Sequence, residues 1–298
     1  MKKIMSIPNY SEGKDRGVIE QILDAFRGKK GVKLLDFQLD EDHNRTVVEV
    51  VGEPEALKDS ILESVKIASE LIDMRKHKGA HPRMGAVDVI PFVPVQNATV
   101  EDCKSLAEEV GEAIGELDIP VYMYEDNARC EERVNLANIR KGQYEGFYEK
   151  IKEAEWKPDF GPQVMNEKFG CVAVGARFHL VAFNVNLNTP DVEIAKAIAR
   201  KVRYSGGGLR HVKGIGLKLE EKNLAQVSMN LVNYEEGPIY QALENVKMEA
   251  KRYGVSIAGT ELIGLVPVDA LVDTFKYYTG AHEFETSQII EMNLLEAE

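Results

Sequence analysis

The stretch best suited to chemistry is a basic loop that carries two histidines, residues 75–85 (Arg-Lys-His-Lys-Gly-Ala-His-Pro-Arg-Met-Gly). His77 and His81 are four residues apart, a spacing that suits a metal ion when both lie on a helix. Gly79 and Pro82 disfavour a helix here, because proline pushes the residue before it out of the helical region. We therefore expect no metal and consider an imidazole on a rigid loop, suited to act as a general base. An ordinary solvated basic loop is the alternative.

A second polar stretch, Asp40-Glu41-Asp42-His43-Asn44-Arg45, lies between two predicted strands. Its turn-forming composition favours a solvated hairpin. The functional alternative is a site at the edge of a sheet, to which the stretch would supply a carboxylate, an amide and a guanidinium.

A glycine-rich stretch, residues 205–216, follows a predicted helix rather than a strand. It lacks the Gly-Lys-Ser/Thr of a P-loop and the strand-then-helix context of a dinucleotide fold, which argues against a nucleotide. Its glycines would let backbone N–H groups approach a ligand closely, and Arg210, His211 and Lys213 are suited to bind carboxylates. A flexible connector with surface charges is the alternative.

The elements that must position these loops form two similar halves. Apolar periodicity predicts β-α-β-β-α-β twice, the first time with an αβ extension. We therefore predict a mixed α/β (α+β) fold of two ferredoxin-like βαββαβ subdomains, residues 1–178 and 179–298. The join lies near residues 170–180, and the stretch from Asp159 to Gly170 leads into it. Clefts between domains are common ligand sites, although a plain linker is the alternative. Among the predicted elements are a first strand at 2–8, one or two strands at 171–187, and a helical end at 267–298.

Charge and composition limit the classes of partner. The 298 residues include 37 basic and 49 acidic side chains, a net charge of −12, which argues against nucleic acid and against an anionic membrane surface. No apolar run approaches the roughly 18 residues of a membrane span, and three widely spaced cysteines indicate reduced thiols, so we expect a cytoplasmic protein. An anionic ligand therefore needs a local basic cluster, and positive side chains gather at 75–83 and 210–213.

Several motifs, in order along nearly the whole chain, together resemble the glutamate formimidoyltransferase family. The resemblance implies transfer of a formimidoyl group between N-formimidoyl-L-glutamate and N5 of tetrahydrofolate, in histidine breakdown. It also implies a homodimer whose two α/β subdomains hold folate, the co-substrate, in a groove between them. The chain ends too early for the cyclodeaminase domain of the animal enzyme, so we expect a transferase alone. The motifs are Ile7-Pro8-Asn9-Tyr10-Ser11-Glu12-Gly13, Asp42-His43-Asn44-Arg45-Thr46, Lys78-Gly79-Ala80-His81-Pro82-Arg83-Met84-Gly85-Ala86, Lys157-Pro158-Asp159-Phe160-Gly161-Pro162 and Glu221-Lys222-Asn223-Leu224-Ala225-Gln226-Val227-Ser228.

The resemblance also implies roles for particular residues. The family's catalytic histidine matches His81, which we expect to act as general acid and base by taking a proton from the attacking amine and returning it to the departing one. Where the animal enzymes lead us to expect an acidic residue, this chain has Gln38, so we expect Asp40 or Asp42 to supply the carboxylate. Substrate binding is expected from Asn44, Arg45 and Arg83. The expected folate contacts are Gly161, Pro162, Gln163, Val164, Met165, Asn166, Glu167, Lys168, Phe169, Gly170, Gly207, Gly208, Leu209, Arg210, His211, Val212, Lys213, Gly214, Ile215 and Gly216.

Two other functions fit the same residues. One is transfer of a formyl group from 5-formyltetrahydrofolate to glutamate, which would use the same groove and the same base. The other is a non-enzymatic sensor of a small molecule, built from paired ferredoxin-like modules.

Overall fold

The chain divides into two compact units, Met1–Arg177 and a second that begins at Phe178. The structure is a computed structural model that describes residues 1–296. Each unit has its own β-sheet and its own apolar core, so the predicted mixed α/β class is confirmed. Across the described residues, every helix is too short or too polar to cross a bilayer.

The first unit is a seven-stranded sheet with helices packed against it. The strands are β1 (Lys3–Ser6), β2 (Asn9–Tyr10), β3 (Val32–Asp40), β4 (Arg45–Gly52), β5 (Val87–Gln96), β6 (Val121–Met123) and β7 (Val172–Ala176). The helices are α1 (Arg16–Leu23), α2 (Pro54–Leu71), α3 (Val100–Gly115), α4 (Glu131–Val134), α5 (Leu136–Ile139) and α6 (Gln143–Lys150).

Strands β1 and β2 are two pieces of one broken strand that lies between β4 and β5. Pro8 interrupts it because proline has no backbone N–H to donate. Its carbonyl still accepts from the Val48 N–H at 3.0 Å, and pairing resumes at Asn9. The first strand, predicted at residues 2–8, thus occupies Lys3–Ser6, and its pairing continues beyond the predicted end at Asn9–Tyr10.

Residues 171–187, predicted as one long strand or two joined strands, form two strands that belong to different sheets. β7 is buried along its whole length and pairs in parallel with both β5 and β6 in the first unit. A continuous apolar run of this kind is typical of a strand buried on both faces. The second half of the run begins the sheet of the other unit.

The second unit repeats the strand order of the first. Its elements are β8 (Val181–Leu187), α7 (Val192–Val202), β9 (Val212–Leu219), β10 (Leu224–Leu231), α8 (Ile239–Lys251), β11 (Ile257–Ile263), α9 (Val268–Thr279) and α10 (Ile290–Glu296). The antiparallel sheet has the order β11-β8-β10-β9. If the strands of the unit are numbered 1 to 4 along the chain, this order is 4-1-3-2. In the first unit β5, β1, β4 and β3 pair in the same order. Both units thus share one βαββαβ topology.

The predicted helical end is also divided. Helix α9 ends at Gly280, which has a positive φ of 74° that favours glycine, and α10 begins ten residues later. Residues 297 and 298 of the predicted helical stretch lie outside the described residues.

A buried ion pair fixes the proline-rich loop before the predicted join. Asp159 accepts from the Arg133 guanidinium at 2.8 Å and from the Met123 N–H at 2.7 Å. Arg133 also donates to the carbonyls of Glu155 and Lys157. The loop is thus an ordered part of the first unit, as its prolines and glycine predict.

Strand β9 lies so close to α7 that one of its positions admits only glycine. A Cβ added at Gly216 would lie 2.3 Å from the Lys196 N, whereas one added at Gly146 in α6 would meet no atom within 4 Å. We predict that Gly216→Ala lowers the free energy of unfolding by about 1–3 kcal/mol, because backbone must move to make room. Gly146→Ala, the control, is expected to raise it by up to about 1 kcal/mol. Equal midpoints in urea unfolding would contradict this packing.

Candidate functional site

Three segments that are far apart in sequence meet around one buried amide, Asn44. Its Oδ1 accepts from the Gly13 N–H at 2.9 Å, and its Nδ2 donates to the Lys78 carbonyl at 2.9 Å. Asn44 is 8% exposed and has a φ of +48°, a left-handed conformation that asparagine tolerates better than most residues. This side chain therefore joins three segments: the N-terminal loop around Gly13, between β2 and α1, the β3–β4 turn, and residues 75–85, here called the His81 loop.

The β3–β4 turn and the His81 loop are also joined through their backbones. The Ala80 N–H donates to the Asp42 carbonyl at 3.3 Å, and the His77 Nε2 lies 2.9 Å from the Asn44 carbonyl. A Cβ on Gly79 would lie 2.2 Å from the His43 carbonyl oxygen, so only glycine fits there. The loop is thus held at one position along the turn.

Arg83 uses all five of its N–H donors on protein acceptors. Its Nε donates to the His77 Nδ1 at 3.1 Å and one Nη2 donor reaches the His77 carbonyl, while Gln143 and Glu145 accept the other three. The arginine is 6% exposed and pairs with Glu145 in a bidentate geometry. It therefore holds the loop to α6 and has no donor left for the substrate carboxylate expected from the sequence.

The same contacts fix the tautomer of His77. Nδ1 accepts from Arg83, so the ring proton is on Nε2, which donates to the Asn44 carbonyl. Burial lowers the pKa of His77, which keeps the ring neutral. Both ring nitrogens are engaged, so His77 is not available to bind a metal together with His81. Within residues 1–296, no three His, Cys, Asp or Glu side chains are placed to hold a metal ion.

Part of the predicted folate stretch 161–170 clamps both ends of the His81 loop. The Lys168 carbonyl accepts from the Met74 N–H at 2.8 Å, and the Phe169 carbonyl accepts from the Ala86 N–H at 2.6 Å. A Cβ on Gly170 would lie 2.2 Å from the Met84 carbonyl oxygen, so these backbones touch. The stretch therefore has a structural role in placing the loop.

The same stretch also borders a cavity of about 340 Å³ within the first unit. Its lining combines apolar side chains with two lysines, and helix α2 forms one wall. The lining residues are Lys66, Ser69, Glu70, Leu117, Ile119, Asn166, Lys168 and Phe169.

His81 is half-buried, and in the part of the chain that the structure describes no hydrogen bond engages either ring nitrogen. Its nearest aromatic neighbour is His43, with ring centroids 6.4 Å apart and an interplanar angle of 68°. Burial lowers the pKa of His81 to about 3, and the cations of Arg45 and Arg140 act in the same direction. The imidazole is therefore neutral at physiological pH, with a lone pair free to accept a proton.

The two arginines beside His81 differ in their partners. Arg140 pairs with Asp88, a carboxylate buried in β5 that also accepts from the Met84 N–H at 2.9 Å. The Arg45 Nε is buried and has no hydrogen-bond partner among residues 1–296, nor does its guanidinium form an ion pair there. Burial lowers the pKa of Arg45, with Arg140 adding to the effect. A half-buried guanidinium without a partner is suited to bind an anion.

The structure places the two candidate carboxylates differently. Asp40, at the end of β3, accepts from the backbone N–H of His43 at 2.9 Å, and its Oδ2 lies 2.7 Å from the His43 Nδ1. These hydrogen bonds lower the pKa of Asp40, and its charge acts on His81. Asp42 is exposed and contributes its backbone carbonyl to the loop. Gln38 is exposed and donates to Asp36, two residues earlier on the same face of β3.

In the second unit, the predicted stretch 207–216 combines packing glycines with exposed cations. Cβ atoms on Gly208 or Gly216 would collide with the backbone of α7. His211 pairs with Glu236 at 2.9 Å. Arg210 and Lys213 are exposed and form no ion pair within the described residues, so both are available to an anionic ligand.

Sequence reasoning missed the partners that hold the site from behind, Asp88, Arg140 and Glu145. Asp88 carried a detectable signal, because a lone carboxylate inside an apolar strand requires a buried partner. Glu145 lies on a helix rich in charged residues and carried none.

The fold and the site define a two-unit α/β protein with a histidine–arginine centre on the loops of its first unit. A family model for the formiminotransferase domain, N-terminal subdomain, matches residues 3–177, and a model for the formiminotransferase domain matches residues 182–295. The chain belongs to the formiminotransferase family.

Named relatives agree with this membership. The chain is 47% identical to a glutamate formimidoyltransferase of Streptococcus pyogenes, over 99% of this chain and 100% of the relative. It is 46% identical to a glutamate formimidoyltransferase of Thermoplasma acidophilum, over 100% and 99% of the two chains. It is also 43% identical to a formimidoyltransferase-cyclodeaminase of Rattus norvegicus, over 91% of this chain but 51% of that protein.

The Asn44 junction can be tested against an asparagine in the same backbone conformation. Asn97 has a φ of +51°, is exposed and makes no side-chain hydrogen bond to any described residue. Both alanine variants lose the left-handed preference of asparagine, but only Asn44→Ala leaves the Gly13 N–H and the Lys78 carbonyl unpaired. We predict that Asn44→Ala lowers the free energy of unfolding by about 1–3 kcal/mol more than Asn97→Ala does. Equal losses in urea unfolding would show that the junction contributes nothing.

Proposed function

We propose that the protein transfers a formimidoyl group between N-formimidoyl-L-glutamate and N5 of tetrahydrofolate. The observation that carries the proposal is a neutral, unengaged His81 beside Arg45, a half-buried arginine without a partner. This pair matches a reaction that removes a proton from an amine while it binds a polycarboxylate. Family membership and the names of the full-length relatives support the same chemistry. We place the reaction in histidine breakdown and expect a homodimer.

In the proposed reaction His81 is the general base. The N5 lone pair attacks the amidine carbon, and His81 takes the N5 proton as the tetrahedral intermediate forms. The C–N bond to glutamate then breaks, and the departing nitrogen keeps the electron pair and gains a proton. The rigid junction at Asn44 supports this role, because a base must be held within hydrogen-bond reach of the proton that it removes.

Arg45 is proposed to bind a carboxylate of formimidoylglutamate. Its buried Nε would gain the partner that the described residues do not supply. The bound anion would offset the cations of Arg45 and Arg140, and so raise the pKa of His81 from about 3 toward the range where a base is effective. Substrate binding would thereby activate the base.

Folate is proposed to contact both predicted stretches, 161–170 and 207–216. In the first, Lys168 borders the cavity beside α2, and in the second Arg210 and Lys213 are exposed cations without ion pairs among the described residues. These side chains suit the carboxylates of a folate tail.

Purified protein is expected to consume tetrahydrofolate and formimidoylglutamate and to form 5-formimidoyltetrahydrofolate. His81→Asn is expected to lower kcat by about 10²- to 10⁴-fold, the usual contribution of a general base. His282→Asn, at an exposed position in the second unit, is the control and is expected to keep full activity. Turnover with 5-formyltetrahydrofolate and glutamate, but none with the formimidoyl donor, would overturn the assignment. Near-normal turnover by a folded His81→Asn variant would remove His81 from its role.

Arg45→Gln is expected to raise the KM for formimidoylglutamate by about 10- to 100-fold, since a charge-assisted hydrogen bond to a carboxylate is lost. The control is Arg16→Gln, which removes an exposed arginine that pairs with Glu20 on α1. An unchanged KM in Arg45→Gln would place the substrate carboxylate elsewhere.

The charge state of His81 can be measured directly in ligand-free protein. A histidine with the ordinary pKa of 6.5 is mostly protonated at pH 5, whereas a pKa of about 3 keeps His81 neutral there. In Arg45→Gln one nearby cation is gone, so the pKa of His81 is expected to rise toward 6.5. NMR titration of the ring resolves the two states, and protonation of wild-type His81 near pH 6.5 would contradict the electrostatics of the site.

A further inference from the structure

A second histidine beside His81, His43 of the β3–β4 turn, is so far without a role. Its Nδ1 lies 2.7 Å from the Asp40 Oδ2, and its backbone N–H donates to the other oxygen of the same carboxylate at 2.9 Å. The carboxylate thus fixes the ring and accepts the Nδ1 proton, which leaves Nε2 as the free ring nitrogen. An aspartate that orients an imidazole in this way is a recurring arrangement at sites of proton transfer.

The backbone sets the separation of the two imidazoles. Gly79 packs against the His43 carbonyl, and the Ala80 N–H donates to the Asp42 carbonyl, so both contacts lie within two residues of His81. The ring centroids are 6.4 Å apart with the planes at 68°, so the rings do not stack on each other. Two proton-carrying groups are therefore held at a fixed spacing, on two different loops.

The two rings face opposite charges. His43 faces the Asp40 carboxylate, which is the partner that an imidazolium ion needs. His81 faces the cations of Arg45 and Arg140, which disfavour its protonated form. Active sites assign the roles of acid and base to two neighbouring titratable groups by giving them opposite electrostatic surroundings.

The proposed reaction moves two protons at two different nitrogens, and one ring must otherwise carry both. We propose that His43 is the general acid of this reaction, giving its proton to the departing glutamate nitrogen while His81 takes the proton from N5. The inference rests on the proposed function. The new bond joins N5 to the amidine carbon, and the bond that breaks joins that carbon to the glutamate nitrogen. One proton leaves N5 for His81, and one leaves His43 for the amine.

The exposure of His43 fits this part of the cycle. Its side chain is 49% exposed, so water can return a proton to it between turnovers. Asp40 acts through His43 and is therefore a positioning residue, rather than the catalytic carboxylate that the sequence suggested. Besides His43 and Asp40, the charged groups that act on His81 are Arg45 at the start of β4 and Arg140 after α5.

The test compares His43→Gln and Asp40→Asn with the control His282→Gln in steady-state assays with formimidoylglutamate and tetrahydrofolate. His43→Gln is expected to lower kcat by about 10²- to 10⁴-fold and to change KM by only a few fold. A general acid must be protonated to act, so the kcat of the wild type is expected to fall on the alkaline side of its pH profile. His43→Gln is expected to lose this alkaline limb and to keep the acid limb. Asp40→Asn is expected to move the alkaline limb to lower pH, because the imidazolium loses its anion.

Rescue by added imidazole distinguishes a general-acid role of His43 from a purely structural role. In His43→Gly the half-exposed space is open to solvent, and imidazole is expected to restore activity in proportion to its protonated fraction. Unchanged kcat in His43→Gln, or a retained alkaline limb, would overturn the role of His43 while the wild type still turns over. No turnover by the wild type would instead reject the proposed function. Urea midpoints equal to that of the wild type confirm that each variant folds.

Discussion

The geometry of the site depends on one buried amide. The Asn44 side chain hydrogen-bonds to both the Gly13 N–H and the Lys78 carbonyl, and its backbone carbonyl accepts a hydrogen bond from the His77 ring. The hydrogen bond to Gly13 is buried and the other two are partly buried, so these groups would cost free energy if left unpaired. The turn, the N-terminal loop and the His81 loop therefore lie together in a single arrangement. A loop of eleven residues with two glycines and a proline becomes rigid because its partners are rigid, and His81 acquires a fixed position.

The arginines at the site differ in whether a protein carboxylate pairs with them. Arg75 pairs with Asp73, Arg83 with Glu145 and Arg140 with Asp88, so three of the four arginines in or beside the loop form ion pairs with protein carboxylates. Arg45 alone lacks such a partner among the described residues. Desolvating an unpaired cation is unfavourable, and an anionic ligand would remove that cost. A net charge of −12 for the whole chain is therefore compatible with a small dicarboxylate bound at this local cation.

The repeated βαββαβ pattern could be predicted because apolar residues recur with strand or helix periodicity along each element. Examples are the alternating strand Arg45–Gly52 and the helix Pro54–Leu71 that follows it. The sequence did not predict that Val172–Ala176 joins the first sheet, since an apolar run does not say which strands flank it. The His81 loop and the β3–β4 turn were recognised from composition and resemblance, but their mutual contacts depend on side-chain geometry. The sequence also could not predict that all five Arg83 donors bond to protein acceptors. An arginine on a basic loop resembles a ligand-binding residue whether or not its donors are already hydrogen-bonded.

The central claim is that chemistry takes place between the His81 loop and the β3–β4 turn. A crystal structure of the protein with tetrahydrofolate and glutamate bound tests it most directly. N5 is expected within hydrogen-bond reach of His81, at about 2.6–3.2 Å, and a glutamate carboxylate is expected on the Arg45 Nε. The glutamate amine is expected to face His43. Electron density that places N5 or glutamate away from His81 and Arg45, with both side chains as found in the free protein, would contradict it.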